Sequence, residues 1–84
     1  FALGIERGKG YSRTALELLI SDLFKKGTHR IEAEVYDYNI TSKRVLQSLG
    51  FKKEGIKRKS HYYRTKYYDI FCYGIIEDDW KLLQ

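Results

Sequence analysis

The sequence has no proline and no methionine, one cysteine and one tryptophan. Without proline there is no fixed kink and no proline-rich linker, and with no internal repeat or low-complexity stretch the 84 residues read as one small domain. The single cysteine, Cys72, excludes an internal disulfide and fits a reducing, cytoplasmic setting. It sits in an apolar run, where a thiol behaves as a small hydrophobe and not as a nucleophile. No apolar run reaches the length of a membrane span and none has a signal-peptide pattern, so a chain with no membrane partner is expected. His29 and His61 lack metal-ligand spacing, so no metal is expected; they read as a helix-end and a hairpin residue.

Charge is plentiful and lopsided. Sixteen Lys and Arg against eleven Asp and Glu give a formal net charge of +5, which suits an anionic partner. Much of the excess lies in Lys52, Lys53, Lys57, Arg58 and Lys59, followed by His61, Tyr62, Tyr63, Arg64 and Lys66. Basic residues interleaved with aromatics fit single-stranded nucleic acid, and they also fit a solvated hairpin, which is the preferred reading.

Phe1, Ala2, Leu3 and Ile5 around Gly4 read as a strand, followed by Arg7-Gly8-Lys9-Gly10-Tyr11-Ser12 and a helical segment. Two glycines let a turn approach a ligand closely, and the unpaired NH groups of a helix start favour an anion. Arg7, Lys9 and Arg13 add positive charge, pointing to a phosphate or pyrophosphate. The spacing is not that of a P-loop, and Arg13 stands where a dinucleotide fingerprint needs glycine.

Ala15, Leu16, Leu19, Ile20, Leu23 and Phe24 then recur at helical spacing, with Gly27 as a stop. Ile31, Ala33 and Val35 alternate with Glu32, Glu34 and Tyr36, as in a strand with one face buried. Strand, helix and strand in this order favour a parallel pair with a right-handed crossover. Asn39 or Thr41 can cap a second helix holding Val45, Leu46 and Leu49, which Gly50 ends. Phe51 to about Ser60 reads as a strand bent near Gly55, Arg64-Thr65-Lys66 as a hairpin connection, and Tyr67 to Ile76 as the longest strand. Glu77, Asp78, Asp79 and Trp80 read as a short tail.

Two of these stretches carry a family resemblance. Arg-x-x-Gly-x-Gly/Ala between strand and helix resembles the pyrophosphate motif of the GNAT superfamily of N-acetyltransferases, with Ser12 where Gly or Ala is usual. The run from Asn39 to Phe51, Asn-x-x-Ser-x-x-Val-Leu-x-x-x-Gly-Phe, is similar to that of the RimJ/RimL-like branch. Together with His29-Arg30-Ile31-Glu32 and Tyr67-Tyr68-Asp69 it makes nearly the whole chain similar to the C-terminal half of such an enzyme.

The resemblance implies that residues 1–84 are the C-terminal half of an acyl-CoA N-acyltransferase domain whose N-terminal half is absent. The fold it implies is α/β (mixed α+β), strand-helix-strand-helix-strand-strand, with the last strand inserted to give a mixed four-stranded sheet. Its first two strands would splay around the pantetheine arm of acetyl-CoA. It also implies an acetyl-CoA-dependent acetyltransferase acting on a protein N-terminal amine or a small amine. Leu3, Ile5, Arg7, Gly8, Lys9, Gly10, Tyr11, Ser12, Arg13 and Asn39 would bind the cofactor. A backbone NH from Leu3 to Ile5 would hold the oxyanion. Many relatives have a tyrosine as thiolate acid where Leu46 stands, and Ser42 is the replacement candidate. Glu6, Glu32 and Glu34 are the nearby carboxylates, none assigned as general base. The alternative is a non-catalytic basic module contacting RNA or the ribosome. The apolar edge at Phe1 to Ile5 further suggests a homodimer or strand exchange.

Overall fold

The structure is a computed structural model that describes residues 2–4 and 12–83. Ser12 has extended backbone and its hydroxyl accepts from Ala15 N at 3.1 Å, so helix α1 (Arg13–Lys25) starts where the sequence supplies a cap. Its C-terminus turns on Gly27 at φ +97°, with Gly27 N donating to Phe24 O and Thr28 N to Leu23 O. Helix α2 (Ile40–Ser48) follows the same design. Asn39 caps it through Ser42 N, and Gly50 at φ +97° ends it, with Phe51 N donating to Leu46 O.

Four strands form one mixed sheet: β1 (Ala2–Gly4), β2 (Arg30–Tyr36), β3 (Lys52–Tyr63) and β4 (Lys66–Ile76), in the order β1-β2-β4-β3. β1 and β2 run parallel, with Leu3 opposite Ala33, and β4 is antiparallel to both its neighbours. The expected crossover pair and the inserted last strand are therefore both present. The remainder of the expected first strand, Phe1 and Ile5, lies outside the described residues.

Strand alternation decides which face is apolar. Ile31, Ala33 and Val35 of β2 are buried with Tyr73 and Ile75 of β4, and Leu16, Ile20 and Phe24 of α1, Leu46 of α2, its cap residue Leu49, Phe51 and Trp80 join them in the core. Glu32 and Glu34 lie on the other, exposed face. There the sheet carries ion pairs: Arg30 with Glu32 and Glu54, and Lys57 with Glu34. Gly74 makes room for one of them. A Cβ built there would lie 2.5 Å from Glu54 Oε1, so only glycine lets that carboxylate cross β4 to reach Arg30.

The acidic tail is a correction. Glu77 to Leu83 form a third helix, α3, with Glu77, Asp78 and Asp79 in its first turn, where negative charge suits the helix dipole. Trp80 is its anchor, buried against Phe24 with ring centroids 6.1 Å apart. Three acids in a row read as a solvated tail because one tryptophan gives no periodicity, and tertiary burial supplied the rest.

β3 extends past the expected Ser60 to Tyr63 because a bulge intervenes. Lys57 pairs with Ile70 and His61 with Tyr68, so three residues of β3 oppose one of β4, with Lys59 at φ +49° and its NH bonded to Asp69 Oδ1. The connection is shorter than expected, two residues, with Arg64 at φ +49° and Thr65 at φ +67°, the signature of a type I′ turn. A β-branched residue is strained in that conformation. Thr65→Gly is expected to stabilise the chain by about 1 kcal/mol, read as a higher thermal midpoint, since left-handed backbone costs a side-chain-bearing residue about that much. A lower midpoint would show that the threonine is not strained.

Candidate functional site

The parallel strands β1 and β2 run in the same direction, so their carboxyl ends share one edge of the sheet. β1 leads there into residues 5–11, and β2 leads into the turn at Asp37 and Tyr38 and the cap of α2. Ile5, Arg7, Gly8, Lys9, Gly10 and Tyr11 lie outside the described residues, as does Glu6. Leu3 is placed in β1, and Ser12 caps α1. β1 thus precedes the first of the two stretches singled out in sequence, and its neighbour β2 leads into the second.

Asn39 is spent on the backbone, its Oδ1 accepting from Ser42 N at 3.2 Å. Ser42, on the first turn of α2, is half-buried, and its hydroxyl has no hydrogen-bond partner among the described residues. Its side chain is therefore not the cap. Arg13 is less available than its position suggests. Its guanidinium pairs with Glu17 at 2.9 Å and donates to Ser48 Oγ at 3.0 Å, tying α1 to the end of α2.

The carboxylates near this end are also engaged. Glu32 and Glu54 share Arg30, whose hydrogen bonds hold the Glu54 carboxyl below its ordinary pKa and raise that of the guanidinium. Glu34 holds Lys57, and that hydrogen bond raises the ammonium pKa. Glu32 and Glu34 are thus committed to ion pairs on the exposed face of the sheet.

One group was missed in sequence. The Tyr38 hydroxyl lies 3.3 Å from His61 Nε2, one residue before the α2 cap, and the imidazole stacks on Tyr36 with centroids 3.8 Å apart and planes 8° apart. Tyr63 and Tyr68 complete the cluster, Tyr68 edge-on to Tyr38 at 4.7 Å. His61 was expected in the hairpin, and it is there. Its partner was not legible because the bulge at residues 58–60 sets His61 opposite Tyr68, whereas an unbroken ladder would set it opposite Lys66.

Residues 1–72 match the family described as acetyltransferase (GNAT) domain. This chain belongs to the GNAT acetyltransferases. It is 31% identical over 77 residues to the SPbeta prophage-derived uncharacterized N-acetyltransferase YokL of Bacillus subtilis (strain 168), covering 90% of this chain and 44% of that protein. Among solved structures it resembles the ribosomal-protein-S5-alanine acetyltransferase from Vibrio fischeri, at 34% identity and TM-score 0.75 over 94% of this chain and 48% of the other. It also resembles yncA, a putative acetyltransferase from Salmonella typhimurium solved with acetyl-CoA, at 25% identity and TM-score 0.75 over 84% of this chain and 41% of that one. The GNAT chain thus spans less than half the length of these relatives. Among the described residues no group could hold a metal ion, and no helix is long and apolar enough to cross a membrane.

Proposed function

We propose that this GNAT chain is the acetyl-CoA-binding, C-terminal part of an N-acetyltransferase that acts on a protein N-terminal amine or a small amine. The observation that carries the reading is the shared carboxyl edge of β1 and β2, with the capped start of α2 and a Ser42 hydroxyl that has no partner among the described residues. Residues 7–13 would hold the pyrophosphate of acetyl-CoA, which supplies the acetyl thioester. A RimJ/RimL-like acceptor, the amino-terminal alanine of a protein, is favoured by the similarity to the Vibrio fischeri enzyme.

In this reading the ammonium of the acceptor first loses a proton. With Glu32 and Glu34 tied to Arg30 and Lys57, the proton goes to the Tyr38–His61 pair. The neutral amine attacks the carbonyl carbon, a backbone NH of β1 holds the oxyanion, and the C–S bond breaks. The thiolate takes the Ser42 hydroxyl proton as Ser42 takes the surplus proton from the newly acylated nitrogen, so the products are the amide, free thiol and an unchanged serine. Ser42→Ala is expected to lower kcat by about 100-fold, the low end for a lost general acid, with little change in KM for acetyl-CoA. Thiol release from acetyl-CoA with an alanyl peptide as acceptor measures this. An unchanged kcat would remove Ser42 from the chemistry.

A further inference from the structure

β2 ends at Tyr36, opposite Ile70, while β3 and β4 continue to the turn at Arg64 and Thr65. Among the described residues the hairpin beyond that point has no third strand beside it, only the turn after β2, where Asp37 N donates to Asp69 O. The hairpin projects over roughly 13 Å, the four steps from Ile70 to Lys66 on the unbulged strand at strand spacing.

Charge is distributed unevenly between this hairpin and the rest of the described chain. On the three-stranded part most cations have acid partners, Arg30 with Glu32 and Glu54, Lys57 with Glu34 and Lys52 with Asp79, while Lys53 lies over the Phe71 ring. On the projecting part, Arg58, Lys59, Arg64 and Lys66 form no ion pair among the described residues. Asp69, the acid at its base, is taken up by Lys59 N at 2.9 Å. A merely solvated strand pair has no need to exclude acids, and the neighbouring sheet face shows the ladder of opposite charges that such a surface adopts.

Tyrosines accompany the free cations. Tyr62 and Tyr67 are cross-strand partners with centroids 4.9 Å apart, and they are 59% and 63% exposed. Two large aromatic rings left in water, on a hairpin whose four cations have no acid partner among the described residues, match a ligand that offers both flat faces and negative charge. An acidic peptide supplies only the charge. Single-stranded nucleic acid supplies both, through phosphates and bases that stack on any aromatic ring. The exposed Ser60 and the tyrosine hydroxyls can also meet 2′-hydroxyl groups, which favours RNA over DNA.

We propose that the projecting β3–β4 hairpin binds single-stranded RNA, with Arg58, Lys59, Arg64 and Lys66 on the phosphates and Tyr62 and Tyr67 stacking on bases. Tyr62 and Tyr67 alternate with His61 and Tyr68, so they lie on the hairpin face opposite the Tyr38–His61 cluster beside the α2 cap, and RNA binding there does not depend on acetyl transfer.

The test is fluorescence anisotropy of labelled twelve-nucleotide oligouridine RNA titrated with the whole chain at several salt concentrations. Four phosphate contacts predict a slope of log affinity against log salt of about −3 for a single strand. In one variant Arg58→Ala and Lys66→Ala are combined with Lys59→Asn and Arg64→Asn, because asparagine tolerates the positive φ at those two positions. It is expected to lose binding and flatten the slope. A second, Tyr62→Thr with Tyr67→Thr, keeps the charges and strand propensity and is expected to weaken binding at least about fivefold with the slope kept. Circular dichroism confirms that both are folded, and if the first is not, the second decides the outcome. The proposal is overturned by no binding at low salt, by equal affinity for oligothymidine DNA or polyglutamate, or by an inert tyrosine variant. It is equally overturned if Lys25→Ala with Arg44→Ala, which removes charge elsewhere, costs as much as the hairpin variants.

Discussion

Trp80→Ala is expected to cost about 3–5 kcal/mol, the range for truncating a buried aromatic, and so to remove much of the chain's stability. The argument starts from size, since a domain of 84 residues holds only about 4–13 kcal/mol at ordinary stability per residue. Trp80 is the buried aromatic of α3, and it closes one side of the core through its contact with Phe24. Removing it leaves Phe24 without that neighbour and α3 without its anchor. Trp80→Phe should retain much of the contact. Urea denaturation followed by circular dichroism measures the effect as a lower midpoint. A midpoint within experimental error of the parent would show that α3 is the dispensable tail its acidic sequence suggests.

Gly10→Glu is expected to reduce affinity for CoA by about 100- to 1,000-fold. In the proposed function Gly10 belongs to the pyrophosphate turn, where its missing side chain lets the backbone approach the anion. A carboxylate about 4 Å from a phosphate at an effective dielectric of about 20 costs roughly 4 kcal/mol, and each 1.4 kcal/mol is about tenfold in affinity. The thermal midpoint without ligand should change little by comparison. Affinity retained within about threefold would place the anion elsewhere, since a like charge at that distance cannot be nearly neutral.

What was legible in the sequence is what local chemistry writes there. Gly27 and Gly50 stop their helices, Asn39 starts the second, and Ile31, Ala33 and Val35 alternate as buried residues must. The order of the strands came from resemblance and not from any residue. Three features were not legible. The bulge at residues 58–60 has no glycine, Lys59 taking the positive φ, so nothing marks the shift that sets His61 opposite Tyr68. α3 depends on Trp80 finding Phe24, a contact made across 56 positions in the chain. The pairing of Arg30 with Glu54 over Gly74 needs three strands side by side before it exists. In each case the missing information is long-range: a partner on another element fixes a conformation that the local sequence leaves open.

The central claim is that this chain carries an acetyl-CoA site at the carboxyl edge of β1 and β2. Calorimetric titration of CoA into the whole chain tests it without requiring an acceptor or turnover. The account predicts saturable one-site binding in the micromolar range for the parent and its near loss in Gly10→Glu. A folded parent chain that takes up no CoA at millimolar concentration would contradict it.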